Sequence, residues 1–455
     1  MANQKPSFLF LKKSGLAALL LAPIAALVLF WLKNTAHNPL GNLLAQDAPM
    51  LLLALGRLSG LLAVYGILVQ LIIIGRVAWV EQVFGMDRLS RLHHALGAGI
   101  IILILAHPLC LGFSYARQLD VTFWAQIKDF VLNWDDVGFA LIGFCVFVTA
   151  IFISHSMIRK RMRYETWYFT HLLLYIAIGL SIGHQFEVGG DFTANSTFKF
   201  FWTALYAFTG LNLIYYRFFR PARLFLKHNF YVAGLYRETD DVTSVVIKGR
   251  DMDKLTAMPG QFIIVRFLAP GFWREAHPFS ISARPDGQKI RISIKKSGDF
   301  TARVPEIKTG TKVLIDGPHG ILTPQNAERD KILLIAGGIG ITPLFSLAED
   351  FLKDGRDTIL FYSNRTRASM AFGGDLTGMA SASKCFKLVP VISADPSWQG
   401  ETGHIDRDKI YRLAPDVIER DVFVCGPPMM MKGVLSALRS MGVPRAQIHS
   451  ERFSF

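Results

Sequence analysis

The stretch HHALGAGIIILILAH, residues 93–107, sets two histidines at the ends of an apolar run. A helix turns about 100° and rises about 1.5 Å per residue. The step from His93 to His107 therefore covers about four turns and about 21 Å, with both rings on one face. A second stretch, HLLLYIAIGLSIGH (171–184), repeats the arrangement one residue shorter. That spacing falls about 140° short of whole turns, so an ideal helix does not aim His171 and His184 the same way. The glycine-bearing segment IGLSIGH (178–184) is where a local distortion is expected.

Outward from these stretches the chain is strongly apolar. Its 455 residues are 51% hydrophobic and its mean hydropathy is +0.33, so membrane spans are sought first. Six stretches approach the length of about 20 residues needed to cross a bilayer. They lie near 14–32, 50–75, 95–113, 137–158, 166–184 and 200–216, and Arg57 is the one formal charge within them. No cleavable leader is expected, because the first apolar run is long and is followed by others.

The net charge of +14 is explained by the loops rather than by nucleic acid. One side gathers Lys5, Lys12, Lys13, Arg76, Arg88, Arg91, the RKRMR loop (159–163), Arg217, Arg220, Arg223 and Lys227. The other holds only Lys33, Arg117, Lys128 and Lys199. Basic loops stay inside, so the N-terminus and everything after residue 227 are expected in the cytoplasm. The bland reading of RKRMR, a topology signal alone, is sufficient. The four cysteines, Cys110, Cys145, Cys385 and Cys425, form no CxxC pair, which speaks against a disulfide scaffold or zinc ribbon.

Polar groups at membrane depth are costly and mark function, and imidazole is a common axial ligand of haem iron. The third and fifth spans run in the same direction. His93 can then meet His171 towards the cytoplasm and His107 can meet His184 towards the outside. Two bis-histidine haems, one above the other, are expected. His94 and His155 lack parallel partners and read as ordinary side chains.

After residue 228 short β-rich runs alternate with turns. TSVVIKG (243–249), QFIIVRF (261–267), KIRISIK (289–295) and TKVLID (311–316) read as strands of a small antiparallel barrel. HPFSIS (277–282) leads into a strand, where the Ser280 hydroxyl could reach a flavin nitrogen. GDFT (298–301) is a turn whose N–H groups and Thr301 hydroxyl could hold a pyrophosphate. From residue 331 the pattern becomes α/β. KILLIAGG (331–338) runs into GIGITP and a helix, an arrangement that brings backbone close to phosphate at a helix N-terminus. TILFYSN (358–364) ends at Arg365, suited to a 2′-phosphate. DVFVCGPP (421–428) ends in a second glycine turn carrying Cys425. Each motif alone is weak, and a plain turn or a solvated arginine explains it; their order is the stronger signal.

Together these residues resemble the ferric reductase and NADPH oxidase superfamily over nearly the whole chain, and the compact form resembles its prokaryotic members. The resemblance implies a membrane all-α six-helix haem domain (1–227), an antiparallel β-barrel FAD domain (228–330) and an α/β nucleotide-binding domain (331–455). It implies FAD contacts from His277, Pro278, Phe279, Ser280, Gly298 and Thr301. GPHG (317–320), GGIGITP and CGPP would serve the nicotinamide nucleotide, with contacts from Gly337, Gly338, Gly340, Thr342, Cys425 and Gly426. Ser363 and Arg365 match the positions used for the 2′-phosphate of NADPH, with NADH the alternative donor. His93, His107, His171 and His184 match the ligands of two b-type haems, and Arg57 matches an arginine facing the outer haem. Phe455 matches a terminal aromatic stacked on the flavin. The oxidases often carry a further histidine where this chain has Leu111, which bears on oxygen chemistry more than on haem.

The implied activity is electron transfer from NADPH through FAD and two haems to an acceptor outside the cell membrane, oxygen giving superoxide. A ferric or cupric reductase, acting on a metal chelate, would use the same path. Regulatory subunits are not indicated, and membrane lipid is the expected surrounding. A transporter using the histidines for metal or protons, or a tethered redox sensor, are readings from other classes. Absence of haem absorption would favour the first, and absence of NADPH turnover the second.

Overall fold

The computed structural model describes residues 6–35, 47–154, 158, 161, 162 and 164–451. His155, most of the RKRMR loop and Phe455 lie outside the described residues. The chain divides into two compact units. One comprises Lys13–Ile74 and Arg91–Leu213; the other comprises Met1–Lys12, Gly75–Ser90 and Ile214–Phe455.

The first unit is helical. Among the described residues five helical segments are long and apolar enough to cross a membrane: Ser14–Thr35, Ala48–Ile74, Met86–Gln118, Val137–Ser154 and Thr166–Glu187. The third begins earlier than hydropathy suggests, because its first turns carry Asp87, Arg88 and Arg91. The sixth expected stretch is helical, Ser196–Ile214, but is not among the five. Lys199, Thr203, Thr209 and Asn212 dilute its apolar character. Ile102, Phe152, Phe200 and Leu211 are two-thirds or more exposed, as side chains facing lipid would be.

Small residues let these helices approach. Gly56, Gly60 and Gly66 of helix 48–74 face helix 86–118: a Cβ on Gly56 would lie 3.0 Å from Cys110, and one on Gly66 2.8 Å from Ile100. The Gly56–Gly60 spacing is the small-xxx-small pattern of close membrane-helix contacts. A Cβ on Gly143 of helix 137–154 would lie 2.8 Å from the Ala177 carbonyl of helix 164–180.

The second unit carries three sheets. β1 (Tyr231–Arg237), β2 (Val242–Lys248) and β5 (Lys289–Lys295) form one antiparallel sheet, in the order β1-β2-β5. β3 (Phe262–Phe267), β4 (His277–Ser280) and β6 (Val313–His319) form another, in the order β4-β3-β6. Isolated bridges Ile281↔Ile292 and Tyr231↔Lys312 join the two sheets along both edges. Alternate residues such as Val245, Ile247, Ile263, Val265, Ile290 and Ile292 fill the shared core, as a period of two requires.

The third sheet is parallel and follows the order β10-β9-β8-β7-β11-β12. Its strands are β7 (Lys331–Gly337), β8 (Asp357–Asn364), β9 (Phe386–Ile392), β10 (Glu401–Thr402), β11 (Asp421–Cys425) and β12 (Ile448–Ser450). Both faces are covered, so its strands are continuously apolar rather than alternating. The order runs outward from β7 to β10 and then returns to β11 on the other side. This makes a topological switch point between the carboxyl ends of β7 and β11, where such folds bind ligands.

Candidate functional site

The four membrane histidines meet in the two expected pairs. The rings of His93 and His171 have centroids 6.1 Å apart, and those of His107 and His184 are 6.4 Å apart. One metal with two nitrogen bonds of about 2 Å needs about this separation between ring centres. The mismatch in the fifth span is absorbed by a break: helix Tyr164–Leu180 ends, Ser181 turns, and Ile182–Glu187 starts a short new helix. Ser181 N–H is shared between the Ala177 and Ile178 carbonyls at 3.2 and 3.1 Å. Gly183, in that short helix, lies against Asp136: a Cβ there would meet its carboxylate.

Neighbouring groups fix which ring nitrogen carries the proton. His107 Nδ1 lies 2.8 Å from the Gly56 carbonyl, which can only accept, so Nδ1–H donates and Nε2 keeps its lone pair. The Ser154 hydroxyl donates to the Ala150 carbonyl and accepts from Trp167 Nε1. His171 Nδ1, 3.2 Å from the same oxygen, must therefore also be the donor. Outer hydrogen bonds of this kind orient metal-ligating histidines. Among the described residues no cluster of three or more His, Cys, Asp or Glu could hold a bare ion. Paired histidines of this donor type would suit a haem, which needs only two donors from the protein.

His107 and His184 line a cavity of about 630 Å³, with Gly60, Phe144 and Ala177 among its apolar walls. Arg57 lines it too, but not as an open charge. Its Nε donates to Asp191 Oδ2 at 2.9 Å and Nη2 donates to Oδ1, making a forked ion pair. The sequence reading missed Asp191, because nothing local ties residues so far apart in the chain.

At the proposed flavin positions, β4 presents His277 and Phe279 half-buried, Pro278 exposed and Ser280 buried. The His277 ring lies 4.1 Å from that of Phe300, and its Nε2 is 3.0 Å from Glu275. The Thr301 hydroxyl closes its own turn: it accepts from Ser297 N–H at 2.8 Å and donates to the Gly298 carbonyl at 3.1 Å. Gly298 is extended with open space where a side chain would stand.

The two glycine turns of the nucleotide half lie against each other at the switch point. A Cβ on Gly340 would sit 2.5 Å from the Cys425 carbonyl oxygen, and one on Gly426 would sit 3.1 Å from Gly337 nitrogen. Gly338 adopts φ +52, a left-handed conformation that favours glycine. Helix Ile341–Lys353 follows, and the Thr342 hydroxyl donates back to the Ile339 carbonyl at 2.9 Å. Ser363 is half-buried and Arg365 exposed at the carboxyl end of β8. Cys425 is fully buried. Burial, and then the Glu451 carboxylate, push its thiol well up, so it is neutral and offers shape rather than acid–base chemistry.

A buried polar cluster in the same unit joins the GPHG turn (317–320) to a segment that carried no sequence signal. Glu81, on helix Ala78–Phe84, accepts from Gly320 N–H at 2.7 Å. His319 lies between Glu81 (3.7 Å) and Asp316 (3.2 Å), and Arg76 pairs with Asp316 at 3.0 Å. Burial pushes the nearby Glu451 carboxyl up to about 8, with Glu81 and Asp87 adding to the effect.

Three family models match successive parts of the chain. Residues 59–182 match the family described as ferric reductase like transmembrane component. Residues 227–323 match an FAD-binding domain and residues 334–436 an oxidoreductase NAD-binding domain. The ferredoxin reductase component of 3-ketosteroid-9-alpha-monooxygenase from Rhodococcus rhodochrous is 29% identical over 230 residues, 49% of this chain and 64% of that protein. Flavohemoprotein A of Dictyostelium discoideum is 28% identical over 243 residues, 49% of this chain and 59% of that protein. The chain thus spans less than two thirds of these relatives' length. The FAD/NAD-binding domain of Vibrio cholerae nitric oxide dioxygenase is similar over 49% of this chain and 97% of its own, at 23% identity and TM-score 0.45. The chain thus joins a ferric reductase like transmembrane component, with helices long and apolar enough to cross a membrane, to FAD-binding and oxidoreductase NAD-binding domains, which is the ferric reductase/NADPH oxidase-type architecture.

Proposed function

We propose that the chain carries electrons from cytosolic NADPH through FAD and two b-type haems to an acceptor outside the cell membrane, and that this acceptor is oxygen, giving superoxide. One observation carries the reading: facing imidazoles, with ring centres 6.1 and 6.4 Å apart, at two levels of helix 86–118. Flavin, when bound, takes two electrons and releases them singly, and haem passes them on one at a time.

The roles of the chain's own residues follow. His93 and His171 would hold the inner haem, and His107 and His184 the outer. Gly56 and Ser154 hold the Nδ1 protons of His107 and His171, leaving Nε2 for iron. His277, Pro278, Phe279, Ser280, Gly298 and Thr301 would line the flavin within a barrel formed by β1–β6. Gly337, Gly338, Gly340, Thr342, Cys425 and Gly426 would admit the nicotinamide nucleotide, with Ser363 and Arg365 on the 2′-phosphate and NADH as the weaker donor. Phe455 would cover the flavin until nicotinamide displaces it. Helix 196–214 serves as a sixth span. Domains at 1–227, 228–330 and 331–455 then follow, with the N-terminus and reductase module in the cytoplasm. Because His93, His107, His171 and His184 would hold the haems in pairs, oxygen would take its electron without binding iron.

The match to a ferric reductase like component supports a second reading, in which a ferric or cupric chelate is the acceptor. NADPH-driven reduction of cytochrome c in air, with and without superoxide dismutase, separates the two. The oxidase reading expects most of the signal to be lost with dismutase. A dismutase-insensitive signal, with faster turnover on ferric chelate, would overturn it.

A further inference from the structure

The stretch from Tyr215 to His228 presents two unlike faces. Tyr215–Phe219 is a π-helical turn and Arg220–His228 an α-helix, and both belong to the second unit. One face is fixed to the barrel. Pro221 and His228 are buried, and Leu224 packs against the barrel core. Arg220 donates to the Gly317 carbonyl at 3.0 Å and lies 3.6 Å from Asp316. The other face is apolar and open. Phe218 is 72% exposed, Phe219 66% and Leu226 77%, and exposed Ala222 lies between them. Steps of three and four residues bring these side chains into one stripe. Arg223 and Lys227, both exposed and four residues apart, run beside it. Arg223 makes no hydrogen bond or ion pair among the described residues. Asp251, an acid that feels Lys227, is already paired with Lys254 at 2.9 Å.

We propose that residues 215–228 form an interfacial anchor: Phe218, Phe219 and Leu226 enter the acyl-chain boundary of the inner leaflet, and Arg223 and Lys227 bind the phosphates of anionic phospholipids. The inference rests on the reading of helix 196–214 as a sixth span, which delivers this segment to the cytoplasmic surface. Large apolar side chains beside cations match a bilayer interface, where acyl chains and anionic headgroups lie within one side-chain length. Long basic side chains cover apolar surface with their stems while their heads reach the phosphates. The charge is one-sided: no Asp or Glu occurs between Asp191 and Glu238, so the segment carries nothing that repels an anionic leaflet. Arg220, turned to Gly317 and Asp316, takes no part in lipid binding.

The test uses the full-length protein in bilayer discs of phosphatidylcholine. The exposed cysteines Cys145 and Cys385 are replaced by alanine, and Leu226→Cys carries a nitrobenzoxadiazole fluorophore. Nitroxide-labelled phosphatidylglycerol and nitroxide-labelled phosphatidylcholine are titrated separately as quenchers, and iodide is the aqueous quencher in discs of phosphatidylcholine alone. Both lipids should quench and iodide should not. The anionic lipid should act at about tenfold lower fraction than the neutral one, as two basic contacts to an anionic headgroup imply. Arg223→Gln combined with Lys227→Gln should equalise the two lipids and leave quenching by the neutral one in place. Quenching by iodide alone would put the stripe in water, and quenching by none of the three would assign it to a protein or a second copy; either result overturns the proposal. So would equal action of the two lipids before the double substitution, or a preference that survives it. The fluorescence needs no electron transfer, so loss of the electron path and loss of the anchor are read separately.

Discussion

Gly60 and His107 are so close that a Cβ on the glycine would lie 2.6 Å from the imidazole Nδ1. The ring cannot simply retreat, because its Nδ1 is tied to the Gly56 carbonyl one turn away on the same helix. Two glycines four residues apart thus set both the position and the tautomer of this histidine. Gly60→Ala should displace the ring and reduce haem content from two towards one per chain, with FAD content unchanged. The haem-to-FAD ratio after chemical extraction checks this, and an unaltered ratio would show that the ring position is not critical.

His107→Ala should remove the outer haem alone. Flavin reduction by NADPH should persist at the wild-type rate, since the candidate FAD and nucleotide residues all belong to the other unit. Electron delivery to external acceptors should fall to the background level, because the path loses its last carrier. Full haem content and activity in the variant would refute the pairing.

Arg365→Ala should erode a preference for NADPH. A charged hydrogen-bonded contact to phosphate contributes on the order of 1.5–3 kcal/mol, or about tenfold to a hundredfold in specificity constant. The NADH constant should stay constant. Equal use of both nucleotides by the wild type, unchanged in the variant, would remove Arg365 from the 2′-phosphate.

Two buried groups predict weakening at alkaline pH. Burial opposes charge on His319, but the hydrogen bonds and charges of Asp316 and Glu81 outweigh it and hold the imidazole above its ordinary range. That contribution is full below about 6.5, the unfolded value, and fades as pH rises through the folded one. Glu451, raised to about 8 chiefly by burial, acts in the same direction: the folded state loses ground as pH climbs from about 4.3. Each pKa unit corresponds to about 1.4 kcal/mol. Asp316 behaves oppositely. Burial works against its charge, yet His319 and Arg76 hold it down to about 2, so its contribution fades only below about pH 4. Glu451→Gln should therefore lose less thermal stability than wild type between pH 6 and pH 9. Parallel losses in the two proteins would contradict the assignment.

Removing Phe455 should change the rate of flavin reduction, the NADH/NADPH preference, or both. An aromatic ring stacked on the flavin contributes about 0.5–1.5 kcal/mol beyond area burial, and hydride transfer requires it to move. Stopped-flow reduction of the truncated protein reads this directly. Full-length rates and preference would mean that Phe455 does not cover the flavin.

Much of this arrangement was legible in the sequence because it is periodic or local. Helical repeat brings His93 and His107 to one face. The glycine turns at Gly337–Gly340 and Gly426 follow apolar strands, as a phosphate-binding turn requires. The distortion near 178–184 could be located but not aimed, because Ser181 and Gly183 act through Ala177 and Asp136. Asp191 was hidden because ion pairs between distant segments leave no local pattern. Glu81 gave no signal, because the group that meets its buried carboxylate is Gly320 N–H, far along the chain. The Thr301 hydroxyl, expected near a pyrophosphate, also closes its own turn, a local bond that the GDFT motif alone does not reveal.

The most direct test of the electron path is an anaerobic reduced-minus-oxidised absorption spectrum of the purified full-length protein after adding NADPH. The account predicts low-spin b-type haem, two per chain and one FAD, all reduced by NADPH without any added reductase. A preparation that binds FAD and oxidises NADPH but shows no haem, or haem that NADPH leaves oxidised, would contradict it.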